Sequence, residues 1–165
     1  MPNTYDVVVS NATATYNSIA LPETDGGWEI SITEEVLELT TDTHGSTPVG
    51  AVRTGQRIEA TAQFAASTID ALKTAISGAT KVTGSTLHEL NVGSAVGGAI
   101  STNALVITPT QNTELAITIY KAYVATDLTL MFKFNEKNTY EVKFIGVIDT
   151  AATNGERLFR IGTSN

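Results

Sequence analysis

A succession of short β-strand patterns, separated by glycine- and proline-containing turns, constrains the fold of this chain more than any other feature. Between residues 28 and 33 every second side chain is apolar and the others are polar, and the same alternation runs from 56 to 64. Alternation of this kind is typical of a strand with one buried face. Further strand patterns occupy residues 100–108, 115–125, 128–134, 140–148 and 158–161. Together they predict a mainly β protein, a β-sandwich or barrel-like domain of two packed antiparallel sheets.

A helical pattern interrupts the strands once. Residues 68–77 place Ile69, Leu72 and Ile76 on one apolar stripe, and Gly78 is a natural stop. We therefore expect one short flanking α-helix over 68–77. No internal repeat or linker composition divides the 165 residues, so we expect a single domain spanning 1–165.

The first long strand pattern changes phase at Glu34 and Glu35. Val36 keeps the even phase, whereas Leu37 begins an odd one. Such a slip predicts a bulge or a sharp bend that could send the following strand pair out of the body of the domain. Residues 40–53 are polar and contain glycine and proline, and they are predicted as a long early loop. Long ordered loops are usually functional.

The composition indicates a surface that is covered by partners. Charged residues make up 16% of the chain, against about 25% in typical domains. The 27 threonines equal all Asp, Glu, Lys and Arg residues combined. A surface of Thr, Ser and Ala costs little to desolvate in an interface. The net charge of −7 disfavours sequence-independent binding of nucleic acid. Without cysteine, a signal-peptide pattern or a membrane-length apolar run, we expect folding in a cytoplasm and no membrane insertion.

Residue types that carry chemistry do not form a catalytic or ligand-binding pattern. His44 and His88 each lack further metal ligands at ligand spacing. The acidic group at Glu34 and Glu35 lies on adjacent strand positions, whose side chains point to opposite faces. The glycine-rich residues 93–98 lack the Lys-Ser or Lys-Thr of a phosphate loop. We expect no enzyme activity, no catalytic residue, no metal site and no cofactor.

The order of the strand patterns resembles that of the tail tube protein, or major tail protein, of long-tailed bacteriophages. The resemblance is firmest over residues 26–76 and 105–162, and it rests on the order and spacing of loose motifs. They are Leu-Val-Ile-Thr-Pro at 105–109, Ile-Tyr-Lys-Ala at 119–122, Tyr-Glu-Val-Lys-Phe at 140–144, Asp149 and Leu-Phe-Arg-Ile-Gly at 158–162. Upstream, Thr-Pro-Val at 47–49 and Arg-Thr-Gly at 53–55 contribute.

This resemblance implies a virion structural protein that assembles, in the host cytoplasm, into stacked rings of six subunits. The rings form a tail tube, a conduit for genome delivery. The implied partners are copies of the same chain, a tape-measure protein and tail-end proteins, while double-stranded DNA passes through without specific binding. In this family the long early loop reaches a neighbouring subunit or ring. The loop residues implied to do so here are Thr43, His44, Gly45, Ser46, Thr47, Pro48 and Arg53.

Two further residue sets follow from charge and alternation. Arginines beside the loop and near the C-terminal end could pair with the acidic cluster of a neighbouring subunit. These predicted interface charges are Glu34, Glu35, Glu38, Arg57, Arg157 and Arg160. The polar faces of the two alternating strands could line an acidic bore that repels DNA, or could face solvent. The lumen-facing candidates are Glu29, Ser31, Thr33, Glu59, Thr61 and Gln63.

A carbohydrate- or receptor-binding β-sandwich module, from a tail tip or a fimbria, is the alternative. Such a module should expose aromatic rings for stacking on sugars. The one tryptophan, Trp28, lies in a strand phase that reads as core.

Overall fold

The computed structural model describes residues 11–65, 68–84, 88–93, 96–111, 115–125, 129, 139–152 and 157–162. The predicted strand at 128–134 lies, apart from residue 129, outside these ranges. The strands of the described residues are β1 (Ala12–Tyr16), β2 (Ile19–Ala20), β3 (Thr24–Thr40), β4 (Pro48–Phe64), β5 (Thr80–Thr83), β6 (His88–Asn91), β7 (Asn103–Pro109), β8 (Ile117–Val124), β9 (Tyr140–Gly146) and β10 (Phe159–Ile161), and the helix is α1 (Ile69–Ala75).

An antiparallel sheet of eight strands forms the body of the protein. Its strand order is β2-β1-β7-β8-β9-β4-β3. The strand β10 pairs with the first half of β8, on residues 117–119, whereas β9 pairs with the second half, on residues 122–124. The predicted mainly β class is therefore confirmed. The outer strands β2 and β3 do not pair with each other in the described part, so the sheet does not close into a barrel.

The sheet curls so that β1 lies against β8 and β9 across the core. Tyr16 of β1 and Phe144 of β9 lie three strand positions apart, about 14 Å in a flat sheet. Their ring centroids are nevertheless 5.1 Å apart, and the Tyr16 hydroxyl donates to the carbonyl of Ala122 over 3.0 Å. The two packed layers expected from the sequence are thus halves of one continuous sheet. Its concave face encloses the largest fully buried side chains: Phe64, Phe144, Ile58, Leu105, Ile119 and Val142.

The helix covers one end of this core. Thr68 is its N-cap, and its Oγ1 accepts from the backbone N–H of Ala71 over 3.2 Å. Ala71 and Ala75 are buried in the core. The helix lies within the predicted range of 68–77 but ends at Ala75, because Ile76 adopts extended backbone angles. The small sheet of β5 and β6, which the sequence patterns did not predict, packs against α1.

The predicted loop over 40–53 is wrong in its second half. The strand β4 begins at Pro48, so only the residues between Thr40 and Pro48 connect β3 to β4. The two 17-residue strands continue to pair as far as Thr40 opposite Pro48. Residues 48–53 looked like a loop because they carry no alternation of buried and exposed positions. They lack it because this part of the hairpin has no core beneath it.

The predicted bulge at Glu35 is confirmed. Glu35 pairs with Gly55, but the next residue, Val36, pairs with Arg53. The extra residue is therefore Thr54 on β4, and β3 keeps its phase through the irregularity. A bulge of this kind bends the ribbon and increases its twist.

Candidate functional site

The part of the β3–β4 hairpin at and beyond the bulge, residues 34–53, forms a projecting arm. In it, every residue except Gly50 is exposed. Seven residues of β3, from Glu34 to Thr40, lie in this arm, which is about 20 Å of extended strand. A two-stranded ribbon without a packed face is marginally stable alone in water. The arm is therefore the part of the described chain that contacts with a partner molecule would stabilise most.

Apolar side chains accumulate on one face of the arm. Leu37 pairs with Val52 and Leu39 pairs with Gly50, so these four residues share a face. Leu37 is 56% exposed and Val52 is 50% exposed. Val36 and Val49 of the same ribbon are also exposed. Clustered exposed aliphatic side chains of this kind mark interaction surfaces.

The base of the arm is held by polar contacts within the chain. The Oε1 atom of Glu34 accepts from Arg53 Nη2 at 3.0 Å and from Gln56 Nε2 at 2.7 Å. Both pairs are exposed, so each adds little to stability. Farther out, Glu38 and Asp42 add negative charge. Over residues 34–53 the four carboxylates and the one guanidinium give a formal charge of −3.

The tip of the arm is a defined turn. The N–H of His44 donates to the carbonyl of Thr41 over 3.0 Å, and Nδ1 of His44 lies 3.1 Å from Oγ1 of Thr41. Gly45 has a φ of 62°, which favours glycine. The structure thus brings most of the predicted inter-subunit residues together at the tip, places Pro48 at the start of β4, and leaves Arg53 at the base.

The six lumen-facing candidates lie on one face of the sheet. Glu29 pairs with Thr61 and Ser31 pairs with Glu59, and the register continues this face to Thr33 and Gln63. The opposite face of the same strands carries the buried Ile58, Ala60 and Ala62. Alternation alone was therefore sufficient to group these residues. It could not tell whether the face borders a bore.

The polar face is less acidic than its glutamates suggest. Glu59 forms ion pairs with Lys143 at 2.9 Å and with Arg57 at 2.5 Å. The hydrogen bond from Lys143 is the main cause that lowers the pKa of Glu59, and the charge of Arg57 adds to it. Lys143 was missed as a member of this face, although it alternates with the buried Val142 and Phe144 and could have been found from that pattern.

The predicted interface charges are spread over three places. Glu34, Glu35 and Glu38 lie on the arm, and Arg57 belongs to the polar face. Arg160 lies half-buried on β10 opposite Thr118, and Arg157 precedes that strand, where its carbonyl accepts from the N–H of Asp149 over 2.6 Å. Arg53 and Arg57 pair with glutamates of their own chain.

Aromatic and metal-binding groups do not form a ligand site in the described residues. The eight aromatic side chains there are all buried or half-buried. Trp28 packs against Phe64 and Phe144 at centroid distances of 5.9 Å. Within the same ranges, no three His, Asp or Glu residues are grouped in a way that could hold a metal ion. The helix described here is too short to span a membrane.

The fold is shared with solved structures of injection-system particles. No protein-family model and no curated protein matches the sequence. A chain of the anti-feeding prophage cap, the AFP tube-terminating cap, aligns with a TM-score of 0.61 and 10% identity over 99% of this chain and 95% of that one. A chain of the PVC sheath–tube complex, from an extracellular contractile injection system in its extended state, aligns with a TM-score of 0.59 and 10% identity over 96% and 94%. A chain of the PVC sheath/tube terminator gives 0.55 and 10% over 87% and 94%. At this identity the likeness is one of fold, and it extends over nearly the whole chain.

Proposed function

We propose that this protein is a structural subunit of a phage-tail-like tube, which assembles with copies of itself into stacked rings. The observation that carries the proposal is the fold likeness over nearly the full length of chains from tube and terminator complexes. Chains that share a fold can differ in function, so the arm supplies the second argument. It is a long, exposed ribbon with aliphatic side chains that only another molecule can bury.

In this proposal the ring is a hexamer, as the resemblance to tail tube proteins implies, and its bore conducts the genome without binding it. The polar face of β3 and β4 is the candidate lining. On this face the carboxylate of Glu29 would repel phosphate. Glu59 contributes less, because Arg57 and Lys143 neutralise it. A tape-measure protein and tail-end proteins would complete a virion tail that is assembled in the host cytoplasm.

A tube terminator is a second candidate function. Two of the structural neighbours described above come from a terminating cap or a terminator. A terminator forms one ring that stops growth, whereas a tube subunit continues to add rings. Negative-stain electron microscopy of the purified protein separates the two: tubes of variable length support the tube subunit, and isolated rings support the terminator.

The lack of an exposed aromatic side chain in the described residues weighs against the carbohydrate-binding alternative. Sugar-binding modules rely on such rings for stacking. A protein that stays monomeric at all concentrations, in sedimentation and in microscopy, would contradict both assembly functions.

The arm gives the sharpest test of the proposal. Replacing residues 38–51 with Asn-Gly would join Leu37 to its partner Val52 through a two-residue hairpin turn. No buried residue is removed, so we expect a folded protein with a melting temperature close to that of the native chain. Ring stacking, or ring formation itself, should be lost. The control is Thr150→Ala, at an exposed position on the loop after β9 and outside the arm, which should still assemble. Normal tubes from the shortened variant would show that the arm is not an assembly element.

A further inference from the structure

The core-facing side of the large sheet carries an apolar row that extends beyond the core. Ala14 pairs with Ile107, Ile107 with Ile117, and Ile117 with Ile161, so the four side chains share one face of β1, β7, β8 and β10. Ala14 and Ile107 are buried, Ile117 is half-buried, and Ile161 is 53% exposed. Burial therefore falls towards β10, where the row ends in an aliphatic side chain with half of its surface exposed.

A second apolar pair lies next to this row, one step closer to the strand ends. Pro109 shares the face of Ile107 and pairs with Ala12, and both are half-buried. We call Ala12, Pro109, Ile117 and Ile161 the apolar strip. Leu115, two residues before Ile117, is also 53% exposed. Contiguous aliphatic surface at the margin of a core is a docking surface for another apolar segment.

The chain enters the sheet beside the apolar strip. Asn11 is the first described residue and directly precedes Ala12. The carbonyl of Asn11 accepts from the backbone N–H of Thr110 over 2.8 Å and from Thr110 Oγ1 over 2.6 Å. These two hydrogen bonds fix the point at which residues 1–10, which lie outside the described ranges, join β1.

The sequence before Asn11 is suited to cover the strip. Tyr5 and three consecutive valines make residues 5–9 apolar, and β-branched residues favour extended backbone. Three strand spacings separate β1 from β10, about 14 Å, and five extended residues span about 17 Å. Residues 7–9 are therefore close enough to Asn11 to reach across β7 and β8 towards Ile161.

We infer that residues 7–9 of the same chain lie across the apolar strip and close this end of the core. The strip presents aliphatic surface, and the hydrogen-bonded Asn11 holds the three valines next to it. A connection of so few residues keeps them at an effective concentration in the millimolar range, which favours them over the same segment of a second copy. The inference does not depend on the proposed self-assembly, because the cover belongs to the chain itself.

Disulfide cross-linking tests this contact, because the native chain contains no cysteine. Val7→Cys and Val8→Cys are each combined with Ile161→Cys, since neighbouring residues of an extended segment face opposite sides. Under mild oxidation of a dilute sample, one of the two pairs should form a disulfide within the chain in most molecules, and the other in few. The product is a monomer whose mobility on a denaturing gel changes when a reductant is added.

The control combines the same two valine variants with Thr118→Cys. Thr118 pairs with Arg160 on the same two strands as Ile117 and Ile161 but on the opposite face of the sheet. Equal cross-linking to Thr118→Cys would overturn the inference, because a segment without a fixed position would reach both faces. Failure of both valine variants to cross-link to Ile161→Cys would also overturn it.

A second measurement removes the apolar cover and keeps the length of the chain. Replacing Val7, Val8 and Val9 together with serine should raise the fluorescence of a dye that binds exposed apolar surface. The melting temperature should fall by about 5–10 °C. The matched control, Asn3→Ser with Thr4→Ser, should change neither quantity. An unchanged dye signal and melting temperature in the triple variant would contradict the cover, and the cross-linking test still decides if that variant does not fold.

The outcomes separate this inference from the proposed function. A disulfide within the chain of a protein that stays monomeric would support the cover and contradict the proposed assembly. Rings or tubes without any disulfide to Ile161→Cys would overturn the cover while the proposed function stands. Disulfides that form only between chains would show that a second copy supplies the segment, which overturns a cover by the same chain and agrees with assembly.

Discussion

Among the described glycines without a left-handed φ for which contacts of an added methyl are known, Gly146 at the end of β9 has the least room for a side chain. It lacks a left-handed φ, so alanine fits its backbone. A methyl group there would overlap Cγ2 of Ile58 and would lie 3.1 Å from Cγ2 of Ile119 and 3.3 Å from Cδ1 of Leu158. All three neighbours are buried, and the first two are fully enclosed in the core. We therefore expect Gly146→Ala to destabilise the protein by overpacking.

Two effects of opposite sign set the size of the loss. Overpacking a close-packed core costs about 1–3 kcal/mol, and the overlap with the enclosed Ile58 places this case in the upper part of that range. Replacing glycine with alanine also restricts the unfolded chain, which stabilises by about 0.4–1 kcal/mol. The net expectation is a loss of about 1–2 kcal/mol. For a domain of this size that corresponds to a fall in melting temperature of about 2–8 °C.

Thermal unfolding followed by circular dichroism measures this loss, with chemical unfolding as a check. The matched control is Gly50→Ala, also on a strand and without a left-handed φ, where the added methyl would meet only Leu39 Cδ1 at an ordinary 3.8 Å. The control should be neutral or slightly stabilising. Equal melting temperatures for the two variants would refute the packing of β9 against Ile58 and Leu158 described above.

Two further predictions concern the β1–β2 turn and the polar face. Asn17 and Ser18 both have positive φ, at 53° and 63°. Ser18→Gly should relieve backbone strain and raise the free energy of unfolding by about 1 kcal/mol, measured by thermal unfolding. A lower melting temperature would contradict this turn geometry. The pKa of Glu59 is lowered by Lys143 and Arg57, so its ionised form stabilises the fold at neutral pH and this contribution is lost as the pH falls through the folded-state pKa. Between pH 7 and pH 3 the melting temperature of Glu59→Gln should therefore fall less than that of the native chain, and parallel pH curves would argue against the ion pairs.

Alternation predicted the buried part of the hairpin well, because a strand with one buried face has an apolar residue at every second position. Residues 57–64 alternate between the polar face and the core, and the pairing of 57–62 with 28–33 follows from the shared pattern. The bulge at Glu35 was predicted from the change of apolar phase in β3, although the extra residue lies on β4 and the change of phase marks the place where β3 leaves the core. These features depend on the contacts that a single strand makes with the core, so they can be recognised in the sequence of that strand alone.

The arm, the small sheet and the strand order of the large sheet could not be predicted from alternation. Pro48 to Arg53 is strand only because β3 continues opposite it, and a ribbon without a core has no reason to alternate. The strands β5 and β6 have four residues each, most of them exposed. Whether two layers belong to one sheet depends on which strands pair, and the contact between Tyr16 and Phe144 joins residues 128 positions apart.

The phase that β3 keeps through the bulge connects the body of the protein to its arm. Because the extra residue is on β4, the odd-numbered residues of β3 remain on one side from Glu29 to Leu39. The same face is therefore polar over the body, at Glu29, Ser31 and Thr33, and becomes aliphatic at Leu37 and Leu39 on the arm. A face that only met solvent would have no reason to change in this way. The change occurs where the hairpin leaves its own core, and in the proposed assembly a neighbouring copy would bury these aliphatic side chains, which favours an arm that is buried in an assembly over one that is solvated.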